Sequence, residues 1–141
     1  MLMKVYIAAP FFNPAQLAIV EDIELQLKFH MIDFFSPRSE GVLVSMSPEE
    51  QKANHKRIYE SNVRHMDECT HMVACVEYKD TGTIFEMGYF AAQKKPIVMF
   101  SSILLSVNVM LGQSAYAICD NSRYINNALM GLYTVEIPSW T

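Results

Sequence analysis

Two acidic residues and one tyrosine stand where they could do chemistry together. Asp80 and Glu86 follow an apolar run closely, and Tyr6 lies inside the first apolar run of the chain. An ionised carboxylate can stabilise or capture the positive charge that builds on a sugar carbon when its bond to nitrogen breaks. A second acid can hold or protonate the leaving nitrogen. These residue types predict a site that could cleave an N-glycosidic bond.

The segment around Glu86 also fits a purely structural interpretation. Thr83-x-x-Glu86 is a capping-box pattern, with Thr83 as N-cap and Glu86 at the third helical position. Taken alone, this pattern favours the structural interpretation. Catalysis is favoured by the nearby Asp80 and by Gly82 and Gly88, which would let backbone or substrate approach closely. A helix N-terminus would keep Glu86 anionic, and the neighbouring charge would raise the pKa of the second acid.

Short β-rich apolar runs alternate with helical stretches along the chain. Buried strands are predicted at residues 3–9, 32–35, 71–76, 97–100 and 116–119. Helices are predicted from Pro14 to about Phe29, from Ser47 to about Glu68, and from the turn at 80–83 to just before Lys94. Residues 39–47 are predicted to form a loop, and residues 133–141 have strand-like character. The alternation predicts one α/β domain over residues 1–141, with a mostly parallel sheet of about five strands covered by helices on both faces.

In such a sheet, ligands bind at the carboxyl ends of the strands, where the strand order reverses. The residues that follow the first three strands, at 10–13, 36–38 and 77–86, are therefore expected to meet at one edge. This edge would hold Tyr6, Asp80 and Glu86 together.

Composition limits the classes of ligand and location. The net charge is −4 with no basic run, which argues against a nucleic-acid-binding face and favours a small molecule bound in a pocket. The odd cysteine count and the absence of a signal-peptide pattern or membrane-spanning run predict reduced core cysteines in a cytoplasmic protein. The four histidines lack ligand spacing, so no metal is expected, and His55 and His65 are expected to be solvated.

Four segments, taken in this order and spacing, resemble the nucleoside 2-deoxyribosyltransferase family. They are residues 5–12 (VYIAAPFF), 35–38 (FSPR), 80–88 (DTGTIFEMG) and 108–111 (NVML). The third segment is the most specific, and the resemblance extends from the first strand to about Asn121. It implies a flavodoxin-like, doubly wound fold, no cofactor, and transfer of 2-deoxyribose from a 2′-deoxynucleoside to a free nucleobase in two displacement steps.

The resemblance also implies roles for individual residues. Glu86 would be the nucleophile that forms a deoxyribosyl ester, Tyr6 would orient its carboxylate, and Asp80 would contact the base. Asn108 would reach a neighbouring subunit's site and bind the sugar 5′-hydroxyl, which requires a homo-oligomer, a dimer or a hexamer, with shared sites. Many members carry Asn-Asp where this chain has Asn62-Val63, so a second acidic partner for the base is missing.

Further residues have both a binding and a structural interpretation. Asn62 lies on the inward stripe of its helix, where its amide must find a partner, and a bond into the site is the favoured choice. Of Phe11 and Phe12, one is expected to stack on a base and the other to pack in the core. Arg38 could bind substrate through its planar fork or steady a surface loop.

Three functions remain open on the sequence. The first is the transferase, and the second is a hydrolase of 2′-deoxynucleosides or their 5′-monophosphates, in which water replaces the acceptor base. The third is a non-catalytic nucleotide-sensing module on the same scaffold. Glu86 separates the last from the others, because a sensor has no use for a nucleophilic carboxylate beside Asp80.

Overall fold

A computed structural model describes residues 2–40, 47–103 and 106–136. Its five strands form one parallel sheet in the order β2-β1-β3-β4-β5. This is the flavodoxin-like order, and it confirms the predicted fold class. The strands are β1 (Lys4–Ala8), β2 (Asp33–Phe35), β3 (His71–Cys75), β4 (Ile97–Phe100) and β5 (Ala117–Cys119).

Within the described residues, five helices connect or follow these strands. They are α1 (Pro14–Phe29), α2 (Pro48–Glu68), α3 (Thr81–Ala92), α4 (Val109–Ser114) and α5 (Ile125–Leu129). The α1 and α2 helices begin as predicted, with a capping side chain followed by proline: Asn13 accepts from the backbone N–H of Gln16, and Ser47 accepts from that of Glu50. None of the helices in the described ranges combines the length and the apolar run that crossing a bilayer needs.

The two faces of the sheet bury separate cores. Val5 and Ile7 of β1 pack with apolar residues of α1 and α5, whereas Tyr6 and Ala8 face the opposite side and pack with residues of α2 and α3. This division follows from the alternation of side chains along a strand. It places the Tyr6 hydroxyl on the side of the sheet that α2 and α3 cover. The three cysteines are free and buried, as expected.

Several short elements differ from the expectations. The α4 and α5 helices and the 3-10 turns at Pro37–Glu40 and Ser122–Tyr124 were not predicted. Residues 133–136 are not a strand, although the Val135 N–H donates to the Ile118 carbonyl of β5 at 2.9 Å. The predicted loop at 39–47 falls mostly outside the described residues, and so does the end of the tail. His65 is half-buried rather than solvated, because its ring stacks on Phe35 with centroids 3.6 Å apart.

Candidate active site

A cavity of about 570 Å³ opens at the carboxyl edge of the sheet, beside the ends of β1 and β3. The strand order reverses between these two strands, so this is the place where a doubly wound sheet binds ligands. Its walls come from the loops after β1 and β2 and from α2 and α3, and most of them are apolar. The lining residues are Ala9, Phe11, Phe12, Pro37, Ile58, Tyr59, Asn62, Val63, Met66, Asp80, Gly82, Phe85 and Glu86.

Tyr6 and Glu86 meet at the floor of this cavity. Tyr6 lies in β1 with no exposed surface, and its hydroxyl donates a hydrogen bond to Oε2 of Glu86 on α3. Burial, and then the charge of Glu86, raises the pKa of Tyr6 above its ordinary value, so the phenol stays protonated and remains a donor. The bond fixes one carboxylate oxygen, and the other is available to a ligand.

The surroundings of Glu86 oppose its ionisation. Burial raises the pKa of Glu86 to about 7, the negative charge of Asp80 adds to this, and the Tyr6 hydrogen bond acts against it. The expectation that the helix terminus would keep Glu86 anionic is therefore wrong. The helix begins at Thr81, so Glu86 lies in its second turn, where the dipole effect has faded and desolvation dominates.

Asp80, and not Thr83, caps α3. The carboxylate Oδ2 of Asp80 accepts hydrogen bonds from the Thr83 N–H at 2.9 Å and the Thr83 hydroxyl at 3.0 Å. The capping-box interpretation of Thr83 and Glu86 is wrong by one helical turn, because the acidic residue at the end of the loop competes better for the free N–H groups. Glu86 is left without a capping role.

The two glycines near Glu86 differ in their surroundings. A Cβ added at Gly82 would lie 3.2 Å from Oδ2 of Asp80, so glycine here gives the capping carboxylate room, and Gly82 also lines the cavity. A Cβ at Gly88 would meet nothing within 4 Å. The expected close approach therefore exists at Gly82 and is absent at Gly88.

Both phenylalanines after β1 line the cavity. Their ring centroids lie 4.7 Å apart, and Phe12 is 68% exposed. Neither ring belongs to the buried core, so the expectation that one of them would pack there is wrong. The backbone N–H of Phe12 is held by the Gln16 side chain at 2.9 Å, which anchors this aromatic corner to the start of α1.

Asn62 lines the cavity from α2, opposite the α3 residues, as the helical spacing predicted. Its amide oxygen is buried and has no hydrogen-bond partner among the described residues. An unpaired buried acceptor costs roughly 1–3 kcal/mol. No structural hydrogen bond to this oxygen among the described residues accounts for an asparagine at position 62.

Arg38 does not line the cavity. Its guanidinium donates to both oxygens of Glu24 on α1, at 2.8 and 2.7 Å, and the Glu24 side chain is only 7% exposed. The guanidinium of Arg38 is thus occupied by a bidentate ion pair with Glu24. This supports the interpretation in which Arg38 steadies a surface loop and does not bind substrate. The neighbouring Pro37 contributes to the cavity instead.

Asn108 lies apart from Glu86. It caps α4, with its side-chain oxygen accepting from the Met110 N–H at 2.9 Å. It lines a second cavity of about 290 Å³ whose walls also include Asp80, Thr83 and Ser106. Within its own chain, Asn108 therefore approaches the far side of Asp80 and does not reach the Glu86 cavity.

Sequence reasoning missed the apolar part of the site. Ile58 and Met66 follow the same i, i+4 stripe as Asn62, so their spacing could have placed them at the cavity. Tyr59 and Phe85 form an exposed aromatic contact, with centroids 6.4 Å apart, that no local pattern indicated. In the described ranges, no three His, Cys, Asp or Glu side chains are grouped as a metal ion would require.

The fold and this edge site define a class: a doubly wound α/β protein with a tyrosine–glutamate hydrogen bond at the edge where its strand order reverses. The profile of the family described as nucleoside 2-deoxyribosyltransferase matches residues 5–128. The chain therefore belongs to the nucleoside 2-deoxyribosyltransferase family, a family of glycosyltransferase-type enzymes. A search of the curated proteins gave no significant match.

Solved structures support the assignment. The chain is similar to a 2-deoxyribosyltransferase from the psychrotolerant bacterium Bacillus psychrosaccharolyticus, with 28% identity and a TM-score of 0.75 over 88% of this chain and 90% of that one. It also resembles a conserved protein from Enterococcus faecalis V583, with 18% identity and a TM-score of 0.54 over 92% and 87% of the two chains. The second likeness concerns the fold alone.

Proposed function

We propose that this protein transfers 2-deoxyribose from one nucleobase to another through a covalent ester on Glu86. The observation that carries the proposal is the Tyr6–Glu86 pair at the floor of an apolar cavity, with Asp80 in the same wall. A carboxylate held by one oxygen in a poorly hydrated pocket is suited to attack a sugar carbon, because little water must be removed from it.

In the first displacement, the free oxygen of ionised Glu86 forms a bond to C1′ of the deoxynucleoside. The C1′–N bond breaks, and its electron pair stays on the base nitrogen. The departing nitrogen takes up a proton from solvent, and Asp80 relays it through the oxygen that Thr83 does not occupy. The Tyr6 hydroxyl keeps the attacking carboxylate oriented throughout.

The second displacement reverses these roles. A free base enters the cavity, its nitrogen attacks C1′, and the ester bond to Glu86 breaks with its electron pair returning to the carboxylate. The proton released by the incoming nitrogen goes to Asp80. Every electron pair thus moves between C1′, Glu86 and a base, so the reaction requires no cofactor.

The apolar walls favour a base over water as the acceptor. Half-buried Phe11 and exposed Phe12 both line the cavity, so a planar base could stack on one of their rings. Hydrolysis needs an ordered water near C1′, and the mostly apolar lining gives few groups to hold one. The transferase is therefore preferred to the hydrolase.

The test is to incubate the protein with thymidine, with and without adenine, and to separate the products. Transfer predicts 2′-deoxyadenosine and thymine, formed only when adenine is present. Free deoxyribose at the same rate without adenine would establish the hydrolase instead. No release of thymine from any mixture, nor of base from other deoxynucleosides, would contradict both and favour a sensing module.

A further inference from the structure

The part of the cavity wall that α2 contributes combines mostly apolar side chains with one amide. Ile58, Val63 and Met66 are apolar, and Tyr59 is more than half exposed. Asn62 is the one amide that this helix contributes to the lining. A planar ligand between α2 and α3 would thus meet Asn62 on one side and Asp80 on the other.

The amide oxygen of Asn62 is buried without a hydrogen-bond partner among the described residues. Buried polar atoms in native proteins are nearly always hydrogen-bonded to protein, water or ligand, and Asn62 lies in the wall of the cavity where a ligand would bind. The oxygen is an acceptor, so its partner must present an N–H or O–H group. A carbonyl group of a ligand cannot satisfy it.

We infer that Asn62 selects the base, with its amide oxygen accepting a hydrogen bond from an exocyclic amino group. Bases that carry this group, such as adenine and cytosine, are then preferred to their oxo counterparts, hypoxanthine and uracil. The inference rests on the proposed function, since it assigns the base bound in the same cavity.

The oxo bases fail for a physical reason. An oxo group at the same position has only lone pairs to offer, so it repels the Asn62 oxygen, and the adjacent ring N–H of the oxo bases could reach that oxygen only if the base shifted in the cavity. Sites built to hydrogen-bond a substrate group discriminate strongly against the analogue that lacks it.

The experiment compares matched deoxynucleosides at a fixed concentration of one acceptor base. The pairs are 2′-deoxyadenosine with 2′-deoxyinosine, and 2′-deoxycytidine with 2′-deoxyuridine. The members of each pair differ in amino against oxo and in the adjacent ring nitrogen, which is bare in the amino member and protonated in the oxo member. We expect kcat/KM of the wild type to favour the amino member of each pair by at least about tenfold. In Asn62→Leu, which keeps the branched shape and the number of side-chain heavy atoms, the ratio should fall towards one.

Arg64→Ala is the matched control, because Arg64 is exposed on the same helix and lies outside the cavity. It should keep the wild-type ratios. Asn62→Leu should also melt no lower than the wild type, since it removes an unpaired buried oxygen. A fall in its melting temperature would make Asn62 a structural residue and would overturn the inference.

Two further results would overturn it: wild-type ratios of one or below, or ratios that Asn62→Leu leaves unchanged. Failure of Asn62→Leu to fold counts as such a fall in stability and overturns the inference as well. Failure of the proposed function looks different, because the wild type would then turn over none of the four nucleosides or would release free deoxyribose at the same rate without the acceptor base.

Discussion

The surroundings of Glu86 determine how activity should depend on this single side chain. In Glu86→Ala the nucleophile is lost while the cavity merely widens, so the protein should fold and turnover should fall by at least about a thousandfold. Glu60→Gln is the matched control, because Glu60 is an exposed carboxylate on α2. The measurement is the steady-state rate of base release by the wild type and both variants. A rate for Glu86→Ala within tenfold of the wild type would show that Glu86 is not the nucleophile.

The same carboxylate should control the pH profile. The pKa of Glu86 is raised to about 7, and only the ionised form attacks C1′. As the pH falls below 7, the protonated fraction grows, so kcat/KM should drop towards a tenfold loss per pH unit and reach a plateau above about pH 7 to 8. A kcat/KM that stays flat from pH 5 to pH 8 would show that Glu86 has an ordinary pKa or no chemical role.

Thr83 should act as a positioning residue for Asp80. Thr83→Val keeps the N–H bond and the buried shape but removes the hydroxyl that holds Oδ2 of Asp80. We expect kcat to fall by about tenfold with a small change in melting temperature, because one neutral-to-charged hydrogen bond is lost. Thr83→Ser restores the hydroxyl and should restore most of kcat. Equal kcat values in all three proteins would show that the hydroxyl has no part in catalysis.

For single residues, the sequence predicted which side chains lie at the site better than it predicted their hydrogen-bond partners. Tyr6, Asp80, Glu86 and Asn62 were placed correctly because strand ends and helix stripes are local patterns. The partner of Arg38 could not be predicted, because Glu24 lies on another element and its pairing depends on how α1 packs on the sheet. Residue spacing alone also could not decide whether Asp80 or Thr83 would cap the N-terminus of α3.

Among the elements, the 3-10 turn at Pro37–Glu40 is fastened on two sides. Arg38 binds Glu24 on α1, while Glu40 accepts from Arg57 at 2.7 Å and from Ser61 at 2.9 Å on α2. Pro37, which immediately precedes Arg38 in this turn, lines the cavity. The turn therefore joins the active-site wall to helices on both faces of the sheet.

The α1 anchor should contribute measurably to stability. Arg38→Met leaves the Glu24 carboxylate buried without its bidentate partner, and we expect the free energy of unfolding to fall by about 1–3 kcal/mol, below the full cost of a buried pair because Arg38 is partly exposed. Lys56→Met breaks the exposed Lys56–Glu60 pair instead and should change stability by less than about 0.5 kcal/mol. Urea denaturation at pH 7 measures both, and equal effects would contradict the anchoring role.

Elements that are long or carry clear capping and periodicity patterns were predicted from the sequence, and short helices were not. The α1, α2 and α3 helices and all five strands were predicted from N-caps, prolines and apolar periods. The α4 and α5 helices span only Val109–Ser114 and Ile125–Leu129, so each offers little more than one turn of periodicity. The α4 helix packs against α3 and the α5 helix against β5. These contacts stabilise both short helices but cannot be predicted from the local sequence.

For the whole molecule, we propose that active sites are completed between subunits. Asn108 faces away from the Glu86 cavity of its own chain, and exposed apolar side chains surround it: Ile84 (38%), Val109 (46%) and Met110 (76%). Such a patch is suited to burial against a second copy, from which Asn108 could reach the partner's cavity. Dimers or hexamers would satisfy this arrangement.

Subunit mixing tests the shared site. Glu86→Ala and Asn108→Ala proteins should each be nearly inactive, although the second also loses a helix cap worth about 1 kcal/mol. When the two are mixed and allowed to exchange, some mixed dimers should regain one intact site, so activity should return. If native mass spectrometry detects mixed oligomers but no activity appears, the shared-site proposal is wrong.

The direction of β1 has a practical consequence for immobilising the protein. This strand enters the sheet at Lys4 and points its carboxyl end at the cavity, so its two ends lie roughly 16 Å apart for five residues. Leu2 is 92% exposed at the distant end. A solid support coupled ahead of Leu2 would therefore hold the molecule with its cavity facing the medium, whereas coupling at Phe12 would press the cavity entrance against the support.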